Sequence, residues 1–413
     1  MSRWIVSLLL LGCLTPAPAQ TVVKMGTLAP EGSPWHQALQ LMGERWRKIS
    51  GGQVKLVIYA GGVLGDEPDM VNKMRIGQIQ AVALSGAGMS TIERGVSALQ
   101  IPMMFNSYEE LDYVRDRVAP RLEKMIEARG FLVLNWGDAG WVHFFTTRPA
   151  ASLADLRKMK LFTWAGDSDT LDLWKANGFR AVSLAATDIL TGLQTGLIEA
   201  VPTTPLYALL NQSFGIAHNM TDVKWAPLIG ATMITRKMWD SFPAAQRSEM
   251  MNAAHEAGVS MRGGIRKMGD EAVGTMQKRR LQVIPVDATG LAEWRREAEG
   301  VYPKLRGGII PAELFDEVRK LRDEYRSSRA GARGLALVPS SLVPHSPVPH
   351  SPVPQPSAPQ PLAPLSTALQ PPAPQWGRQS CLQPALSRPS GGTGGSACQP
   401  ALSRPLLAAG ALR

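Results

Sequence analysis

Between Gln20 and Arg329 the chain carries four histidines, His36, His143, His218 and His255, and no cysteine. No two of these histidines stand at the i, i+4 spacing with which a helix turns a pair of imidazoles toward one metal. Without a thiol, this stretch needs no disulfide and holds neither a thiolate metal site nor a cysteine nucleophile. Asp66, Glu67 and Asp69 are clustered acids, but at a helix start carboxylates cap and solvate rather than gather a metal. A Gly-x-Ser-x-Gly elbow is absent, and no glycine-rich stretch carries the lysine of a phosphate loop. The residue types therefore speak for binding and against catalysis, with no cofactor called for.

The two ends differ from the middle. Met1-Ser2-Arg3, an apolar run from Trp4 to Leu14 and Ala17-Pro18-Ala19 make an export signal cleaved after Ala19. Leu10-Leu11-Gly12-Cys13 offers a second reading, a lipid anchor on Cys13. From about Ala330 the chain has no acid and no lysine, is rich in Pro, Ser, Gly, Ala and Leu, and repeats Val-Pro-His-Ser-Pro at 343 and 348. Such a segment cannot bury enough apolar surface to offset its ordering entropy and is predicted to be disordered. Five tail arginines (333, 378, 388, 404 and 413) carry half of the formal +10, leaving +5 on the rest. With no basic helix interleaved with aromatics, a nucleic-acid partner is excluded.

The elements alternate. Thr21 to Met25 reads as a strand, Pro34 to Ile49 as a helix stopped at Ser50-Gly51-Gly52, and Val54 to Tyr59 as a second strand. Asp66 caps a helix running to Ile76, and Ala81 to Ser85 is a third strand. Phe131 to Trp136, His143 to Thr147, Lys160 to Thr163 and Ile198 to Val201 are strand-like, with helices over Asp169 to Asn177 and Thr187 to Thr195. This alternation predicts an α/β fold with mostly parallel sheets. A helical stretch from Pro243 to about Arg280 is long enough to cross between domains, or to be two helices broken at Gly263-Gly264.

Several segments in this order resemble the TRAP-transporter solute-binding receptors. They are Gly61 to Gly65, Ile76 to Ala81, Ile101 to Phe105 with Tyr108 to Leu111, Leu153 to Lys160, Leu193 to Gly196 and Lys237 to Pro243. The resemblance covers residues 22 to about 328. It implies a two-lobed solute-binding fold closing on a small ligand, with a long helix spanning both lobes, and a receptor that works with integral-membrane permease subunits. The expected division is 1–19 signal peptide, 20–139 plus about 228–265 lobe I, 140–227 plus about 266–328 lobe II, and a tail at 330–413. Periplasmic location follows from the signal.

Most members of that family hold an organic acid on an arginine in a Lys-x-Arg strand, a fork that matches a carboxylate. Here the strand reads Lys160-Leu161-Phe162-Thr163-Trp164, with Phe162 in the arginine's place. Val142 stands where the family often has a second arginine, and Thr204-Pro205 replaces its Asn-Pro. A buried carboxylate without a cation costs several kcal/mol, so the expected ligand is largely apolar or amphipathic. The expected ligand-binding residues are Trp35, Ser85, Trp136, Trp141, Val142, Phe162, Trp164, Thr204, Tyr207 and Trp225. Arg148 and Arg180 are expected to lie outside the pocket. A carrier of lipid or hydrophobe working with a tetratricopeptide-repeat partner, and a sensory binding module, are the alternatives.

Overall fold

The computed structural model describes residues 20–335. The expected signal peptide and most of the expected tail lie outside them. From β1 (Thr21–Thr27) the chain runs through α1 (Pro34–Ile49), β2 (Val54–Tyr59), α2 (Glu67–Arg75), β3 (Ala81–Ser85) and α3 (Gly86–Ser90) to α4 (Tyr108–Glu127) and β4 (Phe131–Trp141). It crosses to β5 (His143–Thr146), α5 (Leu153–Arg157), β6 (Lys160–Trp164), α6 (Ser168–Ala176), β7 (Arg180–Leu184), α7 (Ile189–Gln194), β8 (Ala200–Thr203), α8 (Pro205–Leu210) and β9 (Asn219–Thr221). Then come β10 (Pro227–Thr235), α9 (Arg236–Asp240), α10 (Ala244–Gln277), β11 (Gln282–Ile284), α11 (Ala288–Gly300), α12 (Tyr302–Leu305) and α13 (Ala312–Leu335).

Local chemistry sets the boundaries. Ser33 caps α1 by accepting from the His36 amide, and the helix ends where Gly51 and Gly52 take positive φ. Asp66 and Asp69 form a reciprocal capping box at the start of α2, so two of the clustered acids are spent on a helix end.

Two sheets result. The first has the order β2-β1-β3-β10-β4, with β1 parallel to β2 and β3, and β10 antiparallel to β3 and β4. Gly230 in β10 lies so near the neighbouring strand that a Cβ there would stand 2.7 Å from the Leu84 carbonyl oxygen. The second sheet has the order β11-β9-β5-β8-β6-β7. Val142 bridges β4 and β5, where its amide donates to Ala226 and its carbonyl accepts from Trp225, so the two strand crossings between lobes are paired.

α10 is one uninterrupted helix of 34 residues, so the reading of two helices broken at Gly263-Gly264 does not hold. Its N-terminal half buries Met250, Ala253, Ala254 and Ala257 with Trp46 and Met42 of the first lobe. Its C-terminal half buries Ile265, Ala272 and Met276 with Phe145 and Phe162 of the second. One helix thus belongs to both cores.

Two boundaries need correction. Residues after about 301 do not stay with lobe II: Leu305, Ile310, Leu314, Phe315 and Val318 are buried among Val96, Leu99, Val114 and Val118, against α4 of the first lobe. The apolar stripe of α13 decides this, because it matches the open face of α4. α13 also runs to Leu335, past the expected tail boundary at Ala330, through Gly331 and Gly334; no proline stops it before Pro339.

Candidate functional site

Three cavities lie between the lobes: a larger and a smaller one, about 210 Å³ and 120 Å³, share Trp164 and Leu228 as a common wall, and a third of about 220 Å³ is lined by Arg94, Asp167 and Asp169. Trp164 ends β6, where the strand leaves the sheet toward the cleft. The lobes meet around them: the Ala186 amide donates to the Asp66 carboxylate at 2.9 Å, and Arg94 pairs with Asp169.

The larger cavity is walled by Val142, Phe162, Trp164 and Trp225, with Leu173 and Ile309 opposite. Phe162 is fully buried and packs edge-on against Trp164, ring centroids 5.3 Å apart. Trp225 stacks on Trp174 at 5.8 Å and meets Phe144 and Trp294 edge-on or tilted, so this wall continues into the second lobe's core. The smaller cavity is walled by Trp35, Ser85, Trp164 and Tyr207, together with Glu67 and Asp138.

Three expected site residues do not line either cavity. Trp136 lies in the first lobe's core with its indole N–H donated to Glu123 at 2.7 Å. Trp141 packs in the same core against Tyr108, 5.4 Å between ring centroids. Thr204 is the N-cap residue of α8, and its side chain fills space beside Gly140. β4 is buried along almost its whole length, so its large side chains find protein on both faces.

The charged residues that line the two cavities sharing Trp164 are all acids. Among the described residues that line them there is no lysine or arginine, while Asp167, Glu297, Glu67 and Asp138 are present. Arg148 is half exposed and reaches Glu199 and the Lys158 carbonyl, and Arg180 also reaches that carbonyl from the surface. Two of the lining acids are paired from behind the walls: Glu297 with Arg157 at 2.7 Å, and Asp138 with Arg266 of α10 at 2.6 Å, an arginine that also makes a fork to Asp112 (2.7 and 2.7 Å) and lies 4.1 Å over the Tyr108 ring. Its positive charge is consumed there.

Glu67 is the residue the sequence reading missed. Its neighbours Asp66 and Asp69 cap the helix, but its own carboxylate turns inward. It accepts from the Ser85 amide at 2.6 Å, the Ser85 hydroxyl at 2.6 Å and the Gly88 amide at 2.8 Å. Burial pushes it up to about 7, against the pull of these three donors. Ser85, one of the expected ligand-binding residues, spends its hydroxyl on Glu67. Burial likewise raises Tyr207 to about 12, with the nearby Glu67 adding to the shift. Asp138 is also raised, by burial first, with Arg266 opposing.

Two lobes joined by paired crossing strands and a spanning helix, with cavities between them, define a binding protein for a small solute. The model of bacterial extracellular solute-binding protein family 7 matches residues 25–307, and the chain belongs to that family. A solute-binding protein of Roseobacter denitrificans is 23% identical over 286 residues, 68% of this chain and 86% of that one. The sugar-acid-binding protein of Advenella mimigardefordensis, solved with galactonate, has the same fold with a TM-score of 0.70 at 17% identity, covering 75% of this chain and 99% of that one. A TRAP periplasmic solute-binding protein of Xanthobacter autotrophicus, solved with β-D-galacturonate, gives 0.68 at 19% identity, covering 73% and 99%.

Proposed function

We propose that this protein is the extracytoplasmic receptor of a TRAP-type transporter and takes a largely apolar or amphipathic small molecule into the cleft between its lobes. It delivers that molecule to integral-membrane permease subunits from the periplasm, where its N-terminal signal would send it. The observation that carries the ligand class is the composition of the walls of the two cavities sharing Trp164: mostly aromatic and aliphatic side chains, with neutral polar ones such as Gln100 and Asn177, four acids, and no lysine or arginine among the described residues.

Relatives of this fold hold galactonate or β-D-galacturonate. Such an anion here would give up its water against Phe162 and Val142 and find no lysine or arginine on those walls, at a cost of several kcal/mol. An apolar body instead gains about 25 cal/mol for each Å² it removes from water.

The test is native purification followed by mass spectrometry of the released small molecule, with calorimetric titration of galacturonate alongside. An apolar or amphipathic compound and no heat from galacturonate are expected. Tight galacturonate binding would overturn the ligand class while leaving the receptor role in place.

A further inference from the structure

We infer that the smaller cavity receives the positively charged nitrogen of an organic amine, whose apolar body fills the larger one. This deepens the proposed ligand class and rests on the reading of the cleft as the ligand site.

Three aromatic side chains from three separate elements wall the smaller cavity: Trp35 from the start of α1, Trp164 from the end of β6 and Tyr207 from α8. Aromatic faces carry negative potential and attract a cation, most strongly when both are shielded from water. Glu67 forms part of the same wall and is 2% exposed. Each of its three partners is a neutral donor from Ser85 or Gly88, and none is a cation. Three bonds leave one of a carboxylate's four acceptor sites unused. Asp138 also borders this cavity, but its side chain is fully buried and bonded to Arg266, so Glu67 is the carboxylate offered to the ligand.

The alternatives leave groups unmet. A neutral hydrocarbon would cover Glu67 and supply neither a donor nor a charge. An anion would face it with like charge. An alkylammonium supplies a donor to the Glu67 carboxylate and a charge to the rings.

The experiment uses the full chain and three probes of one shape, titrated calorimetrically at neutral pH: phenylbutylamine, phenylbutanol and phenylbutyrate. The amine is expected to bind at least about ten-fold more tightly than the alcohol, from one charge-assisted hydrogen bond and the ring contacts, and the acid least. Glu67→Gln should then lower the amine-to-alcohol affinity ratio by about ten-fold. If that variant fails to fold, Trp35→Leu should lower the same ratio by about three-fold. An amine that binds no better than the alcohol, or a ratio unmoved in a folded variant, overturns this inference and leaves the apolar cleft standing. Tightest binding by phenylbutyrate overturns both.

Discussion

The carboxylate of Asp66 faces the backbone amide of Ala186 across the cleft at 2.9 Å, while the same side chain caps α2 through the Glu67 amide at 2.8 Å. One carboxylate therefore serves a helix end in the first lobe and a lobe-to-lobe contact. Asp66→Ala should remove both. The lost cap costs about 1 kcal/mol of stability, and the closed arrangement loses a hydrogen bond worth roughly 0.5–1.5 kcal/mol. Thermal melting should show a lower midpoint, and small-angle scattering a larger radius of gyration without ligand. If the radius is unchanged, the contact with Ala186 does not hold the lobes together.

Phe162 is fully buried between the larger cavity and the second lobe's core. Phe162→Arg puts a guanidinium there, where Asp167 is already bonded to the Thr170 amide and Glu297 to Arg157, so stability should fall by about 3 kcal/mol or more. Adding galacturonate should return part of the lost melting temperature, because a bound carboxylate supplies the missing partner. A variant that melts like the parent without any anion would place position 162 in contact with water.

How far the sequence carried depends on how local each signal is. The run from β1 to β3 was legible because glycine pairs, a capping aspartate and β-branched strands mark every boundary within a few residues. Phe162, Val142 and Trp164 were singled out through the positions of expected arginines and the end of a strand, and all three line the larger cavity. Trp136 and Trp141 were misplaced because β4 is covered on both faces, so alternation does not say which aromatic reaches the cleft. β10 was missed: it opens with Pro227 and contains Gly230, both poor strand residues whose roles appear only when its neighbours are in place. The bond between Asp138 and Arg266 joins residues 128 positions apart, and no local pattern announces it.

Glu67 gives a pH dependence of definite sign. Its ordinary value is 4.5 and the folded protein holds it at about 7, so between these values the native state binds more protons than the unfolded chain. Its contribution is therefore fully present below about pH 4.5, declines as pH rises, and is gone above about pH 7, a span of about 3 kcal/mol. Glu67→Gln should lack that decline, since an amide can still donate to the Ser85 hydroxyl and accept from an amide. His143 slopes the other way, because burial lowers it, so the difference between parent and variant is the quantity to follow. Urea unfolding across this range checks it; parallel curves would mean that Glu67 is ionised throughout.

Arg266 has the opposite role from the arginines expected of a carboxylate receptor: it compensates the protein's own acids. Asp138, whose side chain is fully buried, depends on it, since the Asp138 bonds to Arg266 Nε (3.1 Å) and Nη2 (2.6 Å) all fall on one oxygen. Arg266→Met keeps much of the apolar stem but leaves Asp138 with no cation bonded to it. Removing one partner of such a pair costs about 3–5 kcal/mol. The loss should depend on pH in a way that identifies its origin. Burial already raises Asp138, and without Arg266 it rises further, so the variant should approach the parent in acid and fall away from it as pH rises through the carboxylate range. Adding Asp138→Asn to Arg266→Met removes the stranded charge and should recover most of the loss, a coupling that a double-mutant cycle reads directly. A loss independent of pH, or one that Asp138→Asn does not relieve, would trace the effect to the Asp112 fork and the Tyr108 ring instead.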